Sequence, residues 1–392
     1  MRMRSFDVVV VHYGEVTLKR GKRGYFERTL ARNLRRATGA KVQRLQGRLI
    51  IPLKDDMDLD ELLRRIEKVF GVVWYAPAIK AESLEDLERK LLNLLEGLDL
   101  RSFKVETRRS DKSFPMTSLE ISRTLGASLA SKLELKVDLE SPEKTVFIEV
   151  TEKGIYASID KLHGPGGLPI GVSGKVLALI SGGIDSPVAA WFMMRRGCVV
   201  DAMHIYNLPS IDDVMRSKIA RIMEKLTEYC FELKLYLLPF SIFWERAQEI
   251  PERMKLIMFR SYMFKLADIL AEKYRYLGVV TGDNLGQVAS QTLENMNAVS
   301  SFIKVPVYRP LIGFDKQESV TYAERIGTYQ LSIEDYPEPC MILGKYHPET
   351  KARPEDVLRL WERYRLDEVI DETISSLEIY RFKVGESPEK ID

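Results

Sequence analysis

The stretch that decides the fold is VLALISGGIDSPVAAWFMMRRG, residues 176–197, in which an apolar run passes through two glycines and an acidic turn into a second apolar run. In an open α/β sheet, ligands bind at the carboxyl ends of the strands, where a tight turn leads into a helix. Gly182 and Gly183 leave room for a phosphate beside the backbone, and the N–H groups of the following helix start supply donors. Ser181 and Ser186 add hydroxyl donors. The stretch therefore predicts an anion-binding turn between a strand and a helix.

A carboxylate in this turn, Asp185, would repel a phosphate unless a cation lies between them, and Mg²⁺ bridging the two resolves the conflict. A strand, then Ser-Gly-Gly-x-Asp-Ser, then a helix is typical of the pyrophosphate loop of ATP pyrophosphatases, which split ATP into AMP and pyrophosphate. The alternative is an ordinary glycine turn with a capping aspartate. Other nucleotide motifs fit less well, because Gly174-Lys175 precedes the strand and Pro169 stands where a dinucleotide-binding loop has its third glycine.

The order of predicted strands and helices divides the chain into three parts. From residue 175 onward, apolar strand-like runs alternate with amphipathic segments, which predicts helices on a mostly parallel sheet. Residues 6–80 follow the strand, helix, strand, strand, helix, strand order of a ferredoxin-like unit. A second unit follows, in which VDLESP (137–142) is among the predicted strands, and HGPGGLPIG (163–171) is the clearest boundary. The predicted domains are 1–80, 81–165 and 175–392, with a linker at 166–174.

Capping residues mark three predicted helix starts in the first two parts. Asp58 and Asp60 are alternative caps for one helix, and Ser83 is suited to cap the next. A third helix starts near Thr117 or Ser118, because a proline just before them disfavours helix. These signals fix where the helices begin more sharply than the apolar pattern does.

Composition excludes several classes of protein. The chain has 392 residues, 45% apolar and 30% charged, and contains no apolar run near the roughly 20 residues of a membrane span. Its start lacks the features of a signal peptide, so we expect a cytoplasmic protein. Cys198, Cys230 and Cys340 are widely spaced and form no C-x-x-C pair, which argues against a disulfide framework or a zinc finger. A three-ligand iron–sulfur cluster stays open as an alternative that we do not favour. Any sulfur chemistry must therefore use single thiols.

Positive charge is concentrated at the amino-terminal end. The first 50 residues contain 13 Lys and Arg against 3 Asp and Glu, whereas the whole chain has a net charge of only +2. Such a cluster suits a polyanionic partner, because each neutralised phosphate releases counterions. The alternative is a solvated helix face. On the helix predicted over residues 21–39, an apolar stripe of Phe26, Leu30 and Leu34 lies largely apart from four arginines: Arg28, Arg32, Arg35 and Arg36.

Five segments, in this order, resemble bacterial tRNA 4-thiouridine synthetases. They are YGEVTLKRGKRGYFERTLARNL, TRRSDKSFPMTSLEI, GIYASIDKLHGPGGLP, LALISGGIDSPVAAWFMMRRG and TGDNLGQVASQTLENM. That family joins a ferredoxin-like domain, a THUMP domain and a Rossmann-like pyrophosphate-loop domain, and the resemblance covers roughly residues 1–355. It implies a multidomain chain of mixed α/β and α+β class.

The resemblance implies that ATP and Mg²⁺ are used to adenylate the C4 oxygen of uridine 8 in tRNA, after which a protein-borne persulfide displaces AMP. Leu179 and Ile180 would border the adenine, and Ser181 to Ser186 would hold the pyrophosphate. The remaining implied ATP positions are His204, Ile205, Arg260, Gly282 and Gln291. Structural alternatives stay open for three of these, because His204 suits a core edge, Arg260 can snorkel and Gly282 can serve packing alone.

Cys340 is the implied sulfur carrier. Its neighbours Pro337 and Pro339 predict a loop, and nearby basic side chains would favour the reactive thiolate, namely those of Lys345, His347, Lys351 and Arg353. The alternative is a small buried hydrophobe, which is the reading we give to Cys198 and Cys230. Some family members carry a rhodanese domain with a second cysteine, which this sequence lacks. We therefore expect a cysteine desulfurase or another sulfur donor as partner. The family's second role, sulfur supply for the thiamine thiazole, stays open for this sequence, because in members with a rhodanese domain that domain can carry the role. We also expect a homodimer.

The THUMP resemblance implies binding to the acceptor end of tRNA. TRRSDKSF offers Arg108, Arg109 and Lys112 to phosphates and Phe114 for stacking, and the arginines of the first helix form a second candidate surface. Two other functions are compatible with these motifs. One is a pyrophosphate-loop ligase that needs no cysteine, and the other is a noncatalytic tRNA-binding module.

Overall fold

The computed structural model describes residues 6–15 and 21–391. They form two compact units, Met1–Pro169 and Ile170–Asp392. The chain passes from the first unit to the second inside the predicted linker. Within the residues described, no helix combines the length and the apolar character that crossing a bilayer requires.

The first unit is a nine-stranded sheet with helices. Its elements are β1 (Val8–Tyr13), α1 (Arg23–Thr38), β2 (Gln43–Leu45), β3 (Arg48–Pro52), α2 (Leu59–Ile66), β4 (Val72–Ala81), α3 (Leu84–Leu95), β5 (Ser102–Arg109), α4 (Ser118–Leu133), β6 (Lys136–Val137), β7 (Lys144–Thr151), β8 (Gly154–Ile159) and β9 (Leu162–His163). The strand order is β2-β3-β1-β4-β8-β7-β5-β6, and β9 pairs with β4. Because β4 pairs with both β1 and β8, one sheet runs through the two regions that the sequence separates at residue 80.

The predicted capping residues lie at the helix starts. Asp58, and not Asp60, caps α2 by accepting from the N–H of Glu61 at 3.1 Å. Ser83 caps α3, and Thr117 caps α4 in a reciprocal capping box with Glu120. Local side-chain chemistry therefore sets these three boundaries.

The prediction of a strand over 137–142 was wrong. Only Lys136–Val137 pairs with β5, and the chain then leaves the sheet. The Asp138 carboxylate accepts from the N–H groups of Glu140 and Ser141 at 3.1 and 2.9 Å. This turn satisfies backbone donors that a continued strand would give to a neighbouring strand.

Helix α1 separates its apolar and basic faces as predicted. Phe26, Leu30 and Leu34 are buried. The four arginines are exposed, namely Arg28, Arg32, Arg35 and Arg36. The basic face of α1 is thus available for contact with a polyanion.

The second unit is a seven-stranded sheet with helices. Its elements are β10 (Lys175–Leu179), α5 (Asp185–Arg195), β11 (Val199–Tyr206), α6 (Ile211–Arg216), α7 (Lys218–Cys230), β12 (Glu232–Pro239), α8 (Ser241–Ala247), α9 (Glu252–Tyr274), β13 (Val279–Val280), α10 (Leu293–Ser300), β14 (Val307–Tyr308), α11 (Lys316–Ile326), α12 (Tyr329–Ser332), α13 (Pro339–Leu343), α14 (Pro354–Arg363), α15 (Leu366–Ser375), β15 (Glu378–Lys383) and β16 (Glu389–Ile391). The strand order is β14-β13-β10-β11-β12-β15-β16.

The sheet of the second unit is parallel in its centre, as the alternation of strands and helices predicted. Strands β10 to β14 pair in parallel, whereas β15 and β16 add an antiparallel edge. Leu177 and Tyr236 from the sheet and Ile257 and Tyr262 from α9 belong to the main core of this unit and are fully buried. The carboxyl ends of β10, β11 and β13 are therefore held at one edge of a rigid sheet.

Candidate active site

A cleft of about 360 Å³ opens at the carboxyl ends of β10, β11 and β13, a volume within the range of ligand pockets. Its lining contains twelve of the residues singled out in the sequence: Leu179, Ile180, Ser181, Gly183, Asp185, Ser186, His204, Ile205, Arg260, Gly282, Gln291 and Cys340. Gly182 lies in the same loop but faces Glu338 and Lys218. The structure therefore brings the predicted pyrophosphate loop and Cys340 to one cleft.

Two serines hold the loop between β10 and α5 in shape. The Ser186 hydroxyl accepts from the N–H of Ser181 at 2.9 Å and lies 3.1 Å from the Ser181 hydroxyl. The Ser181 hydroxyl also accepts from the N–H of Gly183 at 3.2 Å. Their first role in the structure is thus to shape the loop, beyond the predicted role as donors to a phosphate.

Asp185 presents one carboxylate oxygen that is engaged and one that is not. Its Oδ2 accepts from Gln287 Nε2 at 3.1 Å and from Lys316 Nζ at 2.9 Å. Its Oδ1 is buried and has no hydrogen-bond partner among the residues that the structure describes. The described residues contain no cluster of three or more His, Cys, Asp or Glu side chains suited to a metal ion. A lone carboxylate oxygen fits Mg²⁺, which completes its shell with phosphate oxygens and water.

His204 joins the loop to the segment before Cys340. Its Nδ1 lies 2.8 Å from the Ile180 carbonyl oxygen, which only accepts, so Nδ1 carries the proton. Its Nε2 then accepts from the Tyr336 hydroxyl at 2.9 Å. Burial lowers the pKa of His204 to about 4, and the ring is neutral at pH 7. His204 lines the cleft, but both of its ring nitrogens hydrogen-bond to other residues of the protein.

Arg260 is fixed by a buried ion pair. Its guanidinium donates to Asp283 at 2.7 Å and to the Ser290 carbonyl oxygen at 3.0 Å. Asp283 also pairs with Arg309 at 3.3 Å, and the two cations outweigh its burial and hold its pKa below the usual range. Arg260 therefore meets the cleft as a preorganised cation and not as a mobile side chain.

Cys340 lies in the first turn of α13 and not in the predicted loop, because Pro339 at the first helical position is compatible with a helix start. The residue is exposed to the cleft. Desolvation by the surrounding walls raises the pKa of its thiol, partly opposed by Arg260 from α9. This is the opposite of the lowering predicted from the following basic residues, because desolvation has the largest effect on the pKa of the free thiol. Cys198 and Cys230 are buried, as expected of structural cysteines.

Family models match three consecutive parts of the chain. They are described as "Thiamine biosynthesis protein (ThiI)" over residues 171–366, "ThiI ferredoxin-like domain" over 8–76 and "THUMP domain" over 81–160. The first alone spans half of the 392 residues. The chain belongs to the ThiI family.

Relatives of this ThiI-family chain are similar to it over nearly their whole length. A protein of Caldanaerobacter subterraneus named "Probable tRNA sulfurtransferase" is 38% identical, with 93% of this chain and 97% of the relative covered. A protein of Coxiella burnetii with the same name is 37% identical, with 96% and 99% covered. A crystal structure of a 4-thiouridine synthetase in complex with RNA and bound ATP has a TM-score of 0.88 and 33% identity, and covers 96% of this chain and 100% of that chain. The predicted family, fold class and enzyme class are thereby confirmed.

Sequence reasoning missed several residues of this ThiI-family cleft. Glu338, Gln287 and Lys316 touch the pyrophosphate loop, and Asp283 fixes Arg260. Each comes from a segment more than 20 residues distant from its partner, so no local spacing reveals it. Lys316 carried no signal, whereas the other three lie within four residues of positions that the sequence singles out: Glu338 near Cys340, Asp283 next to Gly282, and Gln287 near Gln291.

The THUMP-region arginines differ in their surroundings. Arg108 is exposed and lies 3.3 Å from Glu106, and Lys112 is also exposed. Arg109 instead donates to the carbonyl oxygens of Phe114 and Met116 at 2.7 and 2.6 Å. Arg108 and Lys112 remain candidate RNA contacts, whereas the Arg109 guanidinium holds the loop that precedes α4.

Gly282 is required by the loop itself. A Cβ atom at this position would lie 2.7 Å from the Ser186 nitrogen and 2.8 Å from the Asp185 carbonyl carbon, which are backbone atoms that cannot rotate away. We expect Gly282→Ala to destabilise the protein by about 1–3 kcal/mol and to distort the pyrophosphate loop. Thermal unfolding and equilibrium binding of pyrophosphate measure the two effects.

Gly313 supplies the matched control, because a Cβ atom there meets nothing within 4 Å. Gly313→Ala is expected to have the same thermal unfolding temperature and the same affinity for pyrophosphate as the unmodified protein. If Gly282→Ala and Gly313→Ala have the same unfolding temperature and the same affinity for pyrophosphate, glycine is not required at position 282 by the nearby loop backbone.

Proposed function

We propose that this chain is an ATP-dependent tRNA sulfurtransferase that adenylates uridine 8 of tRNA at O4 and replaces that oxygen with persulfide sulfur, giving 4-thiouridine. The observation that carries the proposal is the meeting of the pyrophosphate loop and Cys340 in one cleft. The names of the relatives and the ATP and RNA of the similar crystal structure support it.

The cleft has the chemistry that ATP requires. Apolar side chains of Leu179, Met203 and Met263 offer a wall for the adenine, and the loop offers backbone N–H groups for phosphates. Two lining acceptors, Asp185 Oδ1 and Gln291 Oε1, are buried without partners among the described residues. Asp185 would hold Mg²⁺, which when bound neutralises phosphate charge. Arg260 adds fixed positive charge to the same lining.

The proposed reaction has two steps. The uracil O4 forms a bond to the α-phosphorus of ATP, and the bond from that phosphorus to the bridging oxygen breaks, so pyrophosphate leaves. The terminal sulfur of a Cys340 persulfide then bonds to C4, and the C4–O4 bond breaks as AMP leaves with the uracil oxygen. An external thiol then bonds to Cys340 Sγ and breaks the remaining S–S bond, so 4-thiouridine leaves with the outer sulfur and regains at N3 the proton lost on adenylation. A second thiol molecule reduces the resulting mixed disulfide and restores the free Cys340 thiol. Adenylation is needed because the uracil oxygen alone is a poor leaving group.

The persulfide on Cys340 requires a sulfur donor, for which we propose a cysteine desulfurase. Cys198 and Cys230 are buried, and neither is among the lining residues of the cleft. The description of the matching family extends the proposal to supply of sulfur for the thiazole of thiamine. We further propose that the protein is a homodimer and that it acts in the cytoplasm.

Mass spectrometry of tRNA nucleosides tests the proposed function. Unmodified tRNA is incubated with the protein, ATP, Mg²⁺, a thiol reductant and a persulfide source, namely a cysteine desulfurase with cysteine. We expect 4-thiouridine at position 8 only when ATP is present. Sulfur incorporation that proceeds equally without ATP, or none under any condition, would contradict the proposal.

The exposed cations of the THUMP region give a prediction for RNA binding. If Arg108 and Lys112 each contact one phosphate, replacing both by Ala lowers the slope of log K against log salt concentration by about 1.4–1.8. Affinity for tRNA measured at several salt concentrations gives this slope. A matched control is the Arg64→Ala, Arg65→Ala double variant, which removes the same charge from α2, where both arginines pair with Glu61. An equal effect of both double variants would contradict a specific phosphate contact.

A further inference from the structure

The segment that leads to Cys340 is fastened to the body of the second unit at several points. Lys218 Nζ donates to the carbonyl oxygens of Ser332 and Glu334 at 2.9 and 2.6 Å. The Tyr336 hydroxyl lies 2.9 Å from His204 Nε2. The segment is therefore docked along the edge of the cleft and not free in solution.

The segment also contacts the pyrophosphate loop, through the carboxylate of Glu338. Glu338 Oε1 accepts from the backbone N–H of Gly182, the first glycine of the loop. A Cβ atom at Gly182 would lie 2.4 Å from this oxygen and 2.4 Å from Lys218 Cε, so both side chains rest directly on the glycine. An acidic group and a lysine thus occupy the N–H side of the loop.

Burial at this position disfavours the charged form of the Glu338 carboxylate. Desolvation raises the pKa of Glu338, whereas the Gly182 N–H and the Lys218 charge lower it. Lys218 is 5% exposed, and its burial lowers its own pKa. The same surroundings, a backbone N–H donor and a nearby ammonium charge, also suit a phosphate oxygen.

We propose that Glu338 is a positioning residue that occupies the phosphate position of the loop until a nucleotide displaces it, and that this displacement moves Cys340. The inference rests on the proposed function. The Gly182 N–H carries one hydrogen, and a carboxylate and a pyrophosphate repel each other, so the two acceptors exclude one another.

The connection from Glu338 to Cys340 is short and stiff. Only Pro339 separates them, and Pro337 precedes Glu338. Glu338 has φ −66° and ψ 125°, the extended conformation that a following proline imposes. With backbone rotation restricted on both sides, withdrawal of the Glu338 carboxylate shifts the first turn of α13, which holds the thiol. The order of events would then be nucleotide first and sulfur second.

Binding of inorganic pyrophosphate tests the competition. Glu338→Gln keeps the size and the acceptor but removes the charge, and a neutral acceptor holds the N–H less strongly than a carboxylate. We expect the variant to bind pyrophosphate about fivefold more tightly than the unmodified protein. Asp335→Asn is the matched control, because it removes one charge from an exposed position of the same segment. It is expected to bind pyrophosphate within about twofold of the unmodified protein.

Alkylation of Cys340 by iodoacetamide tests the coupling. In the unmodified protein, pyrophosphate is expected to change the alkylation rate at least about threefold, with buried Cys198 and Cys230 as internal references. In Glu338→Gln the rate without pyrophosphate should already approach the pyrophosphate-bound value. Glu338→Ala, checked by thermal unfolding, should repeat both results.

Two outcomes would overturn the inference. One is a Glu338→Gln protein that binds pyrophosphate no more tightly than the unmodified protein, and the other is pyrophosphate binding that leaves Cys340 alkylation unchanged. If the unmodified protein still makes 4-thiouridine in either case, only the inference about Glu338 fails. If the unmodified protein forms no 4-thiouridine, the proposed function fails as well, and with it the basis of the inference about Glu338.

Discussion

The Asp185→Ala variant is expected to release pyrophosphate from ATP about a thousandfold more slowly than the unmodified protein in the presence of tRNA. Asp185 Oδ1 is a buried carboxylate oxygen without a partner among the described residues, and it lines the cleft in which we propose that the phosphates of ATP bind. Loss of several kcal/mol of transition-state stabilisation corresponds to a rate decrease of this order. A continuous pyrophosphate-release assay at saturating ATP measures it.

Binding of tRNA provides the control for Asp185. The candidate RNA contacts lie in the first unit, and Asp185 lies in the second. The affinity of Asp185→Ala for tRNA is therefore expected to equal that of the unmodified protein, and its thermal unfolding should show an intact fold. An Asp185→Ala protein that releases pyrophosphate at the full rate would contradict the role of the loop.

The Cys340→Ser variant is expected to form no measurable 4-thiouridine while still releasing pyrophosphate. A serine hydroxyl cannot carry a persulfide, but it leaves the loop, Asp185 and Arg260 in place. Nucleoside mass spectrometry and the pyrophosphate assay, run on the same reaction, separate the two steps. The expected pattern is a loss of at least about 10³-fold in thiolation with adenylation within about tenfold of the unmodified rate.

Cys198→Ser is the matched control for the sulfur carrier. Cys198 is buried and is not among the lining residues of the cleft, so the same substitution there removes a thiol without touching the proposed site. This variant is expected to retain both activities. Full thiolation by Cys340→Ser would exclude a persulfide on Cys340 as the route of the sulfur.

Features encoded in contiguous residues could be predicted from the sequence. The strand, turn and helix start of the predicted pyrophosphate loop occupy consecutive positions, so residue type and spacing were sufficient to predict this local structure. Helix caps were predictable for the same reason, because Ser83 and Thr117 act on N–H groups only three residues away. The parallel sheet of the second unit followed from the alternation of its elements.

Features that depend on distant partners could not be predicted. Glu338 and Gly182 are 156 residues apart, and the Asp185–Lys316 contact spans 131 residues. Desolvation by distant segments that pack around Cys340 raises the pKa of its thiol and outweighs the lowering by Arg260 in α9, so the charges that follow Cys340 in the sequence gave the wrong direction for this pKa. The shared sheet of the first unit likewise depends on pairing of β4 with β8.

The neighbouring arginines 108 and 109 show an intermediate case. Both looked equally suited to bind RNA in the sequence. Successive side chains of a strand point to opposite faces, and Arg109 turns toward the loop before α4 whereas Arg108 is exposed. The alternation of side chains along a strand could have predicted that Arg108 and Arg109 lie on opposite faces. Only the structure shows which of the two faces α4 covers.

The most direct test of the account follows the uracil oxygen. tRNA carrying ¹⁸O at O4 of uridine 8 is incubated with the protein, ATP, Mg²⁺ and a sulfur source, and the AMP produced is analysed by mass spectrometry. If the cleft adenylates O4 before sulfur arrives, each 4-thiouridine formed is matched by one AMP that is 2 Da heavier. AMP without the label, alongside 4-thiouridine, would contradict the account.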